Sequence, residues 1–354
     1  MFLLIFHFIL LLQSIRVALS ATNPVLSAWK QSTGSTQTFS SVAYKTDILG
    51  IYYSTTYAYV QGNGIPSYSI GPWLNPNTPS GQSWTFKFPL TPSVASSKFD
   101  LTTYPGQLGA WINGIAMYGP GDGFSFGNLD IWHRNAFVYE VTSFDQCLGH
   151  ADKNGIYHNH VIATCLILNN SLVHSPIVGY AFDGYPVYGP YGYSNATNSA
   201  SGIRRMISGF ATRSISTRTT LANGTILSVA NAGPPVNSTY PLGNFIEDFA
   251  WSSTNGDLDA CNGRFAVTPE YPSGTYAYFL TVDSSFTPVY PFILGQCYYG
   301  NQVLPNGKMV NLPSSGLTTY FAYSSSKINE LDILLLTFSL ILAHIISVKN
   351  YTEL

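Results

Sequence analysis

The sequence has few charged residues. Only 9% of its 354 residues are Asp, Glu, Lys or Arg, with 15 basic and 17 acidic side chains and a net charge of −2, whereas an ordinary soluble domain has about 25%. Because no basic excess is available to neutralise phosphates, the composition excludes a nucleic-acid-binding protein. It also excludes a disordered chain, since aromatic residues make up 15% of the sequence and disordered segments contain few of them.

Long apolar runs and helical periodicity are also scarce. Apolar stretches of about 20 residues do not recur along the chain, which excludes a polytopic membrane protein. Instead, 31 Gly and 21 Pro divide the body into short runs, several of which alternate with period two, as in Trp84–Pro89. We therefore predict a mainly β protein of short antiparallel strands and hairpins, in one large or two packed β-rich domains, with little helix outside the terminal segments.

Residues 179–188 predict a β-hairpin. Two aromatic-rich runs flank Asp183 and Gly184, and an Asp-Gly pair is a strong two-residue turn signal. Pro186 lies in the second run and has no backbone N–H. We therefore expect that strand to lie at a sheet edge or to be irregular.

Both ends of the chain resemble processing or anchoring signals. Residues 1–20 contain an apolar run and end in Ala18-Leu19-Ser20, which is typical of a cleaved secretory signal peptide. Residues 333–348 are almost wholly apolar and follow small residues and a polar spacer. The segment 327–354 therefore predicts either a GPI-anchor signal or a single transmembrane segment, and either one would attach the protein to a membrane. We expect a protein of the secretory pathway, at the cell surface or outside the cell.

Between these ends we distinguish three regions. They are an N-terminal β-rich region (21–105), a main domain (106–300) and a C-terminal stalk (301–326). The main domain includes a loop rich in Ser, Thr and Asn at 194–239. Four N-x-S/T sequons predict glycosylation, and three of them lie in this loop: Asn169, Asn195, Asn223 and Asn237. The loop also holds four arginines, which we interpret as solvated, with an anion-binding patch as the alternative: Arg204, Arg205, Arg213 and Arg218.

The body contains four cysteines, an even number for an oxidising compartment. We predict two disulfides and favour Cys147–Cys165 and Cys261–Cys297, because each pair is adjacent in sequence. A zinc site of Cys and His is the alternative, but the chain has no C-x-x-C pair to support it.

The histidines of the body are concentrated in one window. All five lie within residues 133–174: His133, His150, His158, His160 and His174. If residues 157–160 form a strand, His158 and His160 share one face, with Cα atoms roughly 6.5–7 Å apart, while Tyr157 and Asn159 lie on the other. A turn at 152–155 would fold His150 back towards them.

Two imidazoles on one strand face can converge on one metal ion. Three histidines, or two with Asp145, Asp152 or Asp183, would suit zinc or copper, and an open ligand position would permit chemistry through an activated water. A second interpretation makes His158 or His160 a general base beside Asp183. A Ser-His-Asp triad is disfavoured because no G-x-S-x-G motif is present. A third interpretation is a buried hydrogen-bond network with a structural role only.

Several segments resemble the YHYH-domain family over roughly residues 106–297. The segments are Asp145–His150, Tyr157–His160, His174–Pro190, Cys261–Phe265, Thr268–Pro272 and Gly274–Phe279. Asn159 stands where the name-giving motif has a second Tyr. The resemblance implies an extracytoplasmic domain whose functional centre combines the Tyr157 to His160 motif with the segment that includes Gly184 and Tyr185. Two charged residues of the second block, Arg264 and Glu270, either join that centre or pair with each other.

These observations leave two hypotheses of function. The first is a metal-dependent hydrolase or oxidase with His158 and His160 as ligands. His150 and His174 are then further candidate ligands, and Asp183 supports a ligand or acts as base. The second is an extracellular aromatic-rich module for glycans or a cell-surface protein, in which the His cluster is structural. Three aromatic residues near the His window would then stack on sugars: Trp111, Trp132 and Tyr188.

Overall fold

The computed structural model describes residues 23–102, 106–303 and 309–324. The expected signal peptide (1–20) and the C-terminal anchoring segment (327–354) lie outside these ranges. Over the described residues the chain is mainly β, as predicted, with 20 strands and two α-helices of four residues each. No helix in this part combines the length and apolar character needed to cross a membrane.

The largest element is an eight-stranded mixed sheet. Most neighbouring strands are antiparallel, and two pairs run parallel: Ala116–Tyr118 with Tyr157–Asn159, and Pro186–Tyr188 with Thr275–Phe279. From one edge to the other its strands are β10 (His150–Ala151), β11 (Tyr157–Asn159), β7 (Ala116–Tyr118), β6 (Gln107–Trp111), β12 (Ile177–Ala181), β13 (Pro186–Tyr188), β19 (Thr275–Phe279) and β18 (Gly263–Ala266).

A second sheet has four antiparallel strands, and it joins the two ends of the described chain. Its order is β20 (Thr318–Ala322), β3 (Ile48–Tyr53), β4 (Tyr57–Gly62) and β5 (Trp84–Pro89). Residues 318–322, which we expected to belong to a stalk, instead pair with β3 as an edge strand.

Four two-stranded ribbons complete the strands. They are β1 (Thr36–Phe39) with β2 (Val42–Lys45), β8 (Gly121–Ser125) with β9 (His133–Asn135), β14 (Tyr191–Asn195) with β15 (Asn198–Arg205), and β16 (Phe210–Thr212) with β17 (Phe249–Trp251). The two helices are α1 (Pro24–Ser27) and α2 (Ala136–Tyr139), and four 3₁₀ turns lie at Phe126–Asn128, Val141–Ser143, Val229–Asn231 and Ile246–Asp248.

One aromatic-rich core joins the two large sheets. Trp29 packs against Phe88 of β5 at 5.3 Å and against Tyr180 of β12 at 5.4 Å between ring centroids. Such tilted ring pairs add stabilisation to the burial of their apolar area. The three rings that we expected to stack on sugars also belong to the interior, with exposed fractions of 0%, 1% and 0%: Trp111, Trp132 and Tyr188. That part of the glycan-binding hypothesis is wrong. Rings of this size remove a large apolar area from water when they are buried in the core, and this burial is favourable.

The predicted hairpin at 179–188 is present, but its second strand is not at an edge. Gly184 adopts a φ of 87° in the turn, a conformation that glycine tolerates best. β13 lies between β12 and β19. Pro186 is its first residue, and pairing with β19 begins only at Val187. Because Pro186 precedes the paired residues, the absence of its N–H removes no hydrogen bond to β19. A strand that begins with proline is therefore tolerated inside the sheet.

Both predicted disulfides are present in the structure, Cys147–Cys165 and Cys261–Cys297. All four sequon asparagines are exposed. The interpretation of the loop arginines as solvated is wrong for Arg218, which is buried, whereas the Arg204 side chain is 37% exposed. The Arg204 guanidinium pairs with Asp257. Arg218 is 1% exposed and forms a salt bridge with Asp248 in the interior. An ion pair between residues 30 positions apart is a long-range feature that local composition does not reveal.

Candidate metal centre

A tight turn brings His150 opposite His158. The Asp152 carboxylate accepts hydrogen bonds from the backbone N–H groups of Asn154 and Ile156, and Gly155 supplies a φ of 73°. β10 and β11 pair antiparallel across this turn, with His150 and His158 as direct partners. Asp152, one of the candidate ligands, therefore shapes the turn.

The other face of β11 is fixed by the turn at 145–149. Tyr157 donates its hydroxyl hydrogen to the Asp145 carboxylate at 2.9 Å. Asn159 donates its side-chain amide to the backbone carbonyls of Cys147 and Leu148. Asn159 therefore points away from the histidines, as its alternation in the strand predicted. Asp145, another candidate ligand, faces the same way and holds the turn.

Three histidines converge through one nitrogen each. His158 Nε2 lies 3.1 Å from His150 Nε2 and 3.1 Å from His160 Nε2. The three residues are 4%, 3% and 4% exposed in chain order, and among the described residues they form a group whose geometry could hold a metal ion. We refer to His150, His158 and His160 below as the His triad.

The other ring nitrogens of the His triad are occupied by acceptors. Nδ1 of His158 lies 3.0 Å from the Ile156 carbonyl, and Nδ1 of His160 lies 2.6 Å from the Gly119 carbonyl. Nδ1 of His150 lies 2.7 Å from Ser143 Oγ, which itself donates to the Glu140 carbonyl. The neutral rings of His158 and His160 therefore carry their hydrogen on Nδ1 and present a lone pair at Nε2. His150 does the same when its Nδ1 donates to Ser143 Oγ, and the side-chain amide nitrogen of Asn75 also lies 3.4 Å from that Nδ1.

Glu140 is a member of the site that the sequence did not indicate. Its Oε2 lies 3.2 Å from His160 Nε2 and 3.8 Å from His150 Nε2. This oxygen is buried and has no hydrogen-bond partner among the described residues. The side chain as a whole is 25% exposed, so Glu140 forms the solvent side of the site. It follows directly after α2, and no residue pattern marks it, because its place is set by the packing of α2.

Aromatic rings enclose the His triad. Tyr118 stacks on His158 with centroids 4.0 Å apart, and Phe144 packs edge-on against His150 at 4.9 Å. Burial, with the neighbouring His160, lowers the pKa of His150 to about 4. Burial and the two adjacent imidazoles place the pKa of His158 well below its usual value. The environment thus favours the neutral rings that metal ligation requires.

His174 and Asp183 do not join the His triad. His174 donates from Nδ1 to the Ser175 carbonyl and packs among aromatic rings such as Tyr193. Asp183 is fully buried at the hairpin turn, where its carboxylate accepts from the Tyr278 hydroxyl and from the backbone N–H of Gly300. The structure gives neither side chain a contact with the triad, so the roles of ligand and base that we expected for them do not fit.

The two charged residues of the second block also lie elsewhere. Arg264 donates to the Tyr193 carbonyl, and Glu270 accepts from the Tyr188 hydroxyl. No salt bridge joins these two described residues, and neither contacts the His triad. The pairing of the two residues with each other is therefore not found, and Glu270 instead contacts Tyr188 of the 174–190 segment.

His133, the remaining histidine of the window, belongs to a different cluster. Its Nδ1 lies 2.6 Å from Glu247 Oε1 and its Nε2 lies 2.9 Å from Asp130 Oδ1. The five histidines that are close in sequence therefore occupy three separate environments.

Comparison with known proteins adds the family. No curated protein and no solved structure matches the chain. The model of the family described as YHYH protein matches residues 85–291. This range is more than half of the chain, and it includes the His triad, Glu140 and both the 145–149 turn and the hairpin at 179–188. It also begins upstream of the resemblance seen in the sequence, at the strand β5. The chain belongs to the YHYH protein family.

Proposed function

We propose that the His triad binds a zinc ion and that the site is a metal-dependent hydrolase centre for a small substrate. The observation that carries the proposal is the convergence of three imidazole Nε2 atoms on one point, with the buried acceptor Glu140 Oε2 beside them. Lone pairs at these distances repel one another, and a buried acceptor without a donor is costly. A cation at the centre removes both penalties.

The distances support a first-row transition metal. Two nitrogens bound at 2.0–2.1 Å in a tetrahedral site lie about 3.3 Å apart, close to the 3.1 Å between neighbouring Nε2 atoms of the His triad. Imidazole ligands suit zinc and copper, whereas magnesium and calcium prefer oxygen. Three histidines with a fourth position left open are typical of catalytic zinc sites, and this favours zinc here.

The residues around the site would have different roles in hydrolysis. A bound zinc ion supplies Lewis acidity, which makes water a nucleophile near neutral pH. The Nδ1 hydrogen of His158 is donated to the Ile156 carbonyl, and that of His160 to the Gly119 carbonyl. Hydrogen bonds of this kind orient histidines that bind metals. Glu140, on the solvent side, would accept a proton from the attacking water and return it to the leaving group.

Metal analysis of the purified protein tests the binding step. We expect about one zinc per chain in the wild type after zinc loading and dialysis, and none in His158→Ala/His160→Ala. His174→Ala is the matched control, because it removes a buried histidine outside the His triad. Absence of stoichiometric metal from the loaded wild type, or its retention by the double variant, would contradict the proposal. If protein purified without zinc loading contained stoichiometric copper instead, the metal site would be supported and the metal would be copper rather than zinc.

Glu140→Gln tests the catalytic step. The variant keeps the size of the side chain and an oxygen that can face the metal, so metal content should stay unchanged. Hydrolysis of an activated ester should fall by roughly 10²–10⁴-fold, the usual contribution of a positioned base. Equal rates in wild type and variant would exclude Glu140 as the base, and equal rates in the metal-free protein would exclude a metal-dependent hydrolase.

We further propose that the protein is a secreted or surface-anchored glycoprotein. Support comes from two disulfides, which persist in oxidising compartments, and from the exposure of all four sequon asparagines. A loss of mass on enzymatic deglycosylation is the expected result. Release from intact cells by a phosphatidylinositol-specific phospholipase would favour the GPI anchor, and retention would favour the transmembrane segment.

A further inference from the structure

A cavity of about 570 Å³ lies beside β17, away from the His triad. Its volume falls within the range of small-molecule sites, about 300–1,000 Å³. The walls come from distant parts of the chain, including the loop at 221–223, the 3₁₀ turn at Ile246–Asp248 and residues 130–133. None of the residues assigned to the metal centre lines it.

A chain of hydrogen bonds runs from the interior into this cavity. Glu247 accepts from the backbone N–H of His133 through Oε2 and from the His133 ring through Oε1. The opposite ring nitrogen, Nε2, contacts Asp130 at 2.9 Å. The Glu247 side chain is 8% exposed, whereas that of Asp130 is 91% exposed. Glu247 on Nδ1 and Asp130 on Nε2 thus fix the imidazole, and the exposed Asp130 can still offer its second carboxylate oxygen, Oδ2, to a ligand.

The ionisable lining of the cavity is predominantly acidic. Three carboxylates line it, from Asp100, Asp130 and Glu247, and His133 is the single basic group beside them. Of the described lining residues none is Lys or Arg. The lining stays net negative even when the imidazole is protonated, so the site favours a cation.

Aromatic side chains also line the cavity. Trp251 is 38% exposed, and its indole N–H donates to the Leu258 carbonyl at 3.0 Å, which fixes the ring. Phe249 lies two residues before it on β17 and also lines the cavity. A cation over a tryptophan face gains from the charge distribution of the ring. Apolar walls with a few converging polar groups are typical of small-ligand sites.

From this lining we infer that the cavity binds an amine-bearing sugar. The ammonium group would pair with Asp130 near the Trp251 face, and the hydroxyls would contact the polar side chains of Thr102 and Gln296 on the rim. A disaccharide of two glucosamine units carries two amines and an apolar ring face, and it fits the volume. The site is independent of the metal centre.

Isothermal titration calorimetry with the 1→4-linked glucosamine disaccharide tests the inference, on purified protein from which glycans have been removed enzymatically, because the sequon residue Asn223 lines the cavity. Binding is expected for the wild type, with a loss of about tenfold or more in affinity for Asp130→Asn, since hydrogen bonds between charged groups are the strong ones. Asp130 is exposed, so this variant should fold normally. Asp283→Asn is the matched control, because Asp283 is also a surface carboxylate and does not line the cavity.

Two neutral sugars of the same size complete the design, the N-acetylated disaccharide and cellobiose. Both are expected to bind at least tenfold more weakly than the amine form. The inference is overturned if the amine disaccharide does not bind at millimolar concentration, if Asp130→Asn binds it as tightly as wild type, or if cellobiose binds equally well. A second readout is tryptophan fluorescence, whose change on binding should disappear in Trp251→Phe.

Discussion

The ion pair between Arg218 and Asp248 provides the sharpest test of how this low-charge chain is stabilised. Both side chains are 0% exposed. The guanidinium donates from Nε and Nη2 to the two carboxylate oxygens at 2.7 and 2.9 Å. Its remaining donors reach the backbone carbonyls of Pro234, Tyr240 and Pro241. One side chain thereby connects the segment at 234–241 to the core.

Arg218→Met is expected to destabilise the protein by about 3–5 kcal/mol, the usual cost of breaking a buried pair. The loss has two sources. The Asp248 carboxylate keeps only the backbone N–H groups of Gly243 and Phe245 as donors, and the freed carbonyls lose their partner. Asp248→Asn should cost less, roughly 1.5–3 kcal/mol, because Arg218 retains its carbonyl acceptors.

Urea denaturation followed by circular dichroism measures these changes, provided that the unfolding is two-state. Arg204→Met is the matched control, since Arg204 makes the same two-oxygen contact with Asp257 but has a side chain that is 37% exposed. A solvent-screened pair contributes about 0–1 kcal/mol. The reasoning is refuted if Arg218→Met costs less than 1 kcal/mol or no more than Arg204→Met.

Three further predictions concern pH, packing and the disulfides. Burial lowers the pKa of His133, but its bonds to Glu247 and Asp130 outweigh that effect and raise the pKa to about 9. The protonated imidazole therefore stabilises the folded state fully below about pH 6.5, and this stabilisation is lost as pH rises through 9. The melting temperature of His133→Gln should lack this pH dependence. Gly149→Ala should cost about 1–3 kcal/mol in urea, because a Cβ would lie 2.4 Å from Tyr157 Oη, whereas Gly121→Ala, with its nearest atom at 3.8 Å, should be nearly neutral. Replacing the pair Cys261 and Cys297 by Ser should cost about 4 kcal/mol by loop entropy, since 36 residues separate them, and an unchanged denaturation midpoint would contradict that account.

Features set by neighbouring residues could be predicted from the sequence. The hairpin around Asp183 and Gly184 follows from turn chemistry, and the shared face of His158 and His160 follows from strand alternation. The return of His150 follows from the turn between the two strands. The disulfide pairs were also predicted correctly, because each joins neighbouring cysteines.

Features set by packing over long distances could not be predicted. Glu140 reaches the His triad because α2, which it follows, packs on β8 and β9, and no spacing in the sequence encodes that placement. Pro186 sits in a central strand because β19 pairs only from the next residue onward. His174 shares the window of the triad but turns into the aromatic core, since proximity in sequence does not fix the direction of a side chain.

One buried acidic residue, Asp145, explains how a chain with little charge positions its histidines. Asp145 is 4% exposed. Besides the Tyr157 hydroxyl, its carboxylate accepts the backbone N–H groups of Gly71, Cys147 and Gly149. One buried charge with four donors is well satisfied, and it locks the 145–149 turn against the back of β11. Because His158 and His160 project from this strand or its end, the carboxylate positions them without touching them. In this protein, therefore, a carboxylate too deep to aid solubility serves instead to orient two members of the His triad.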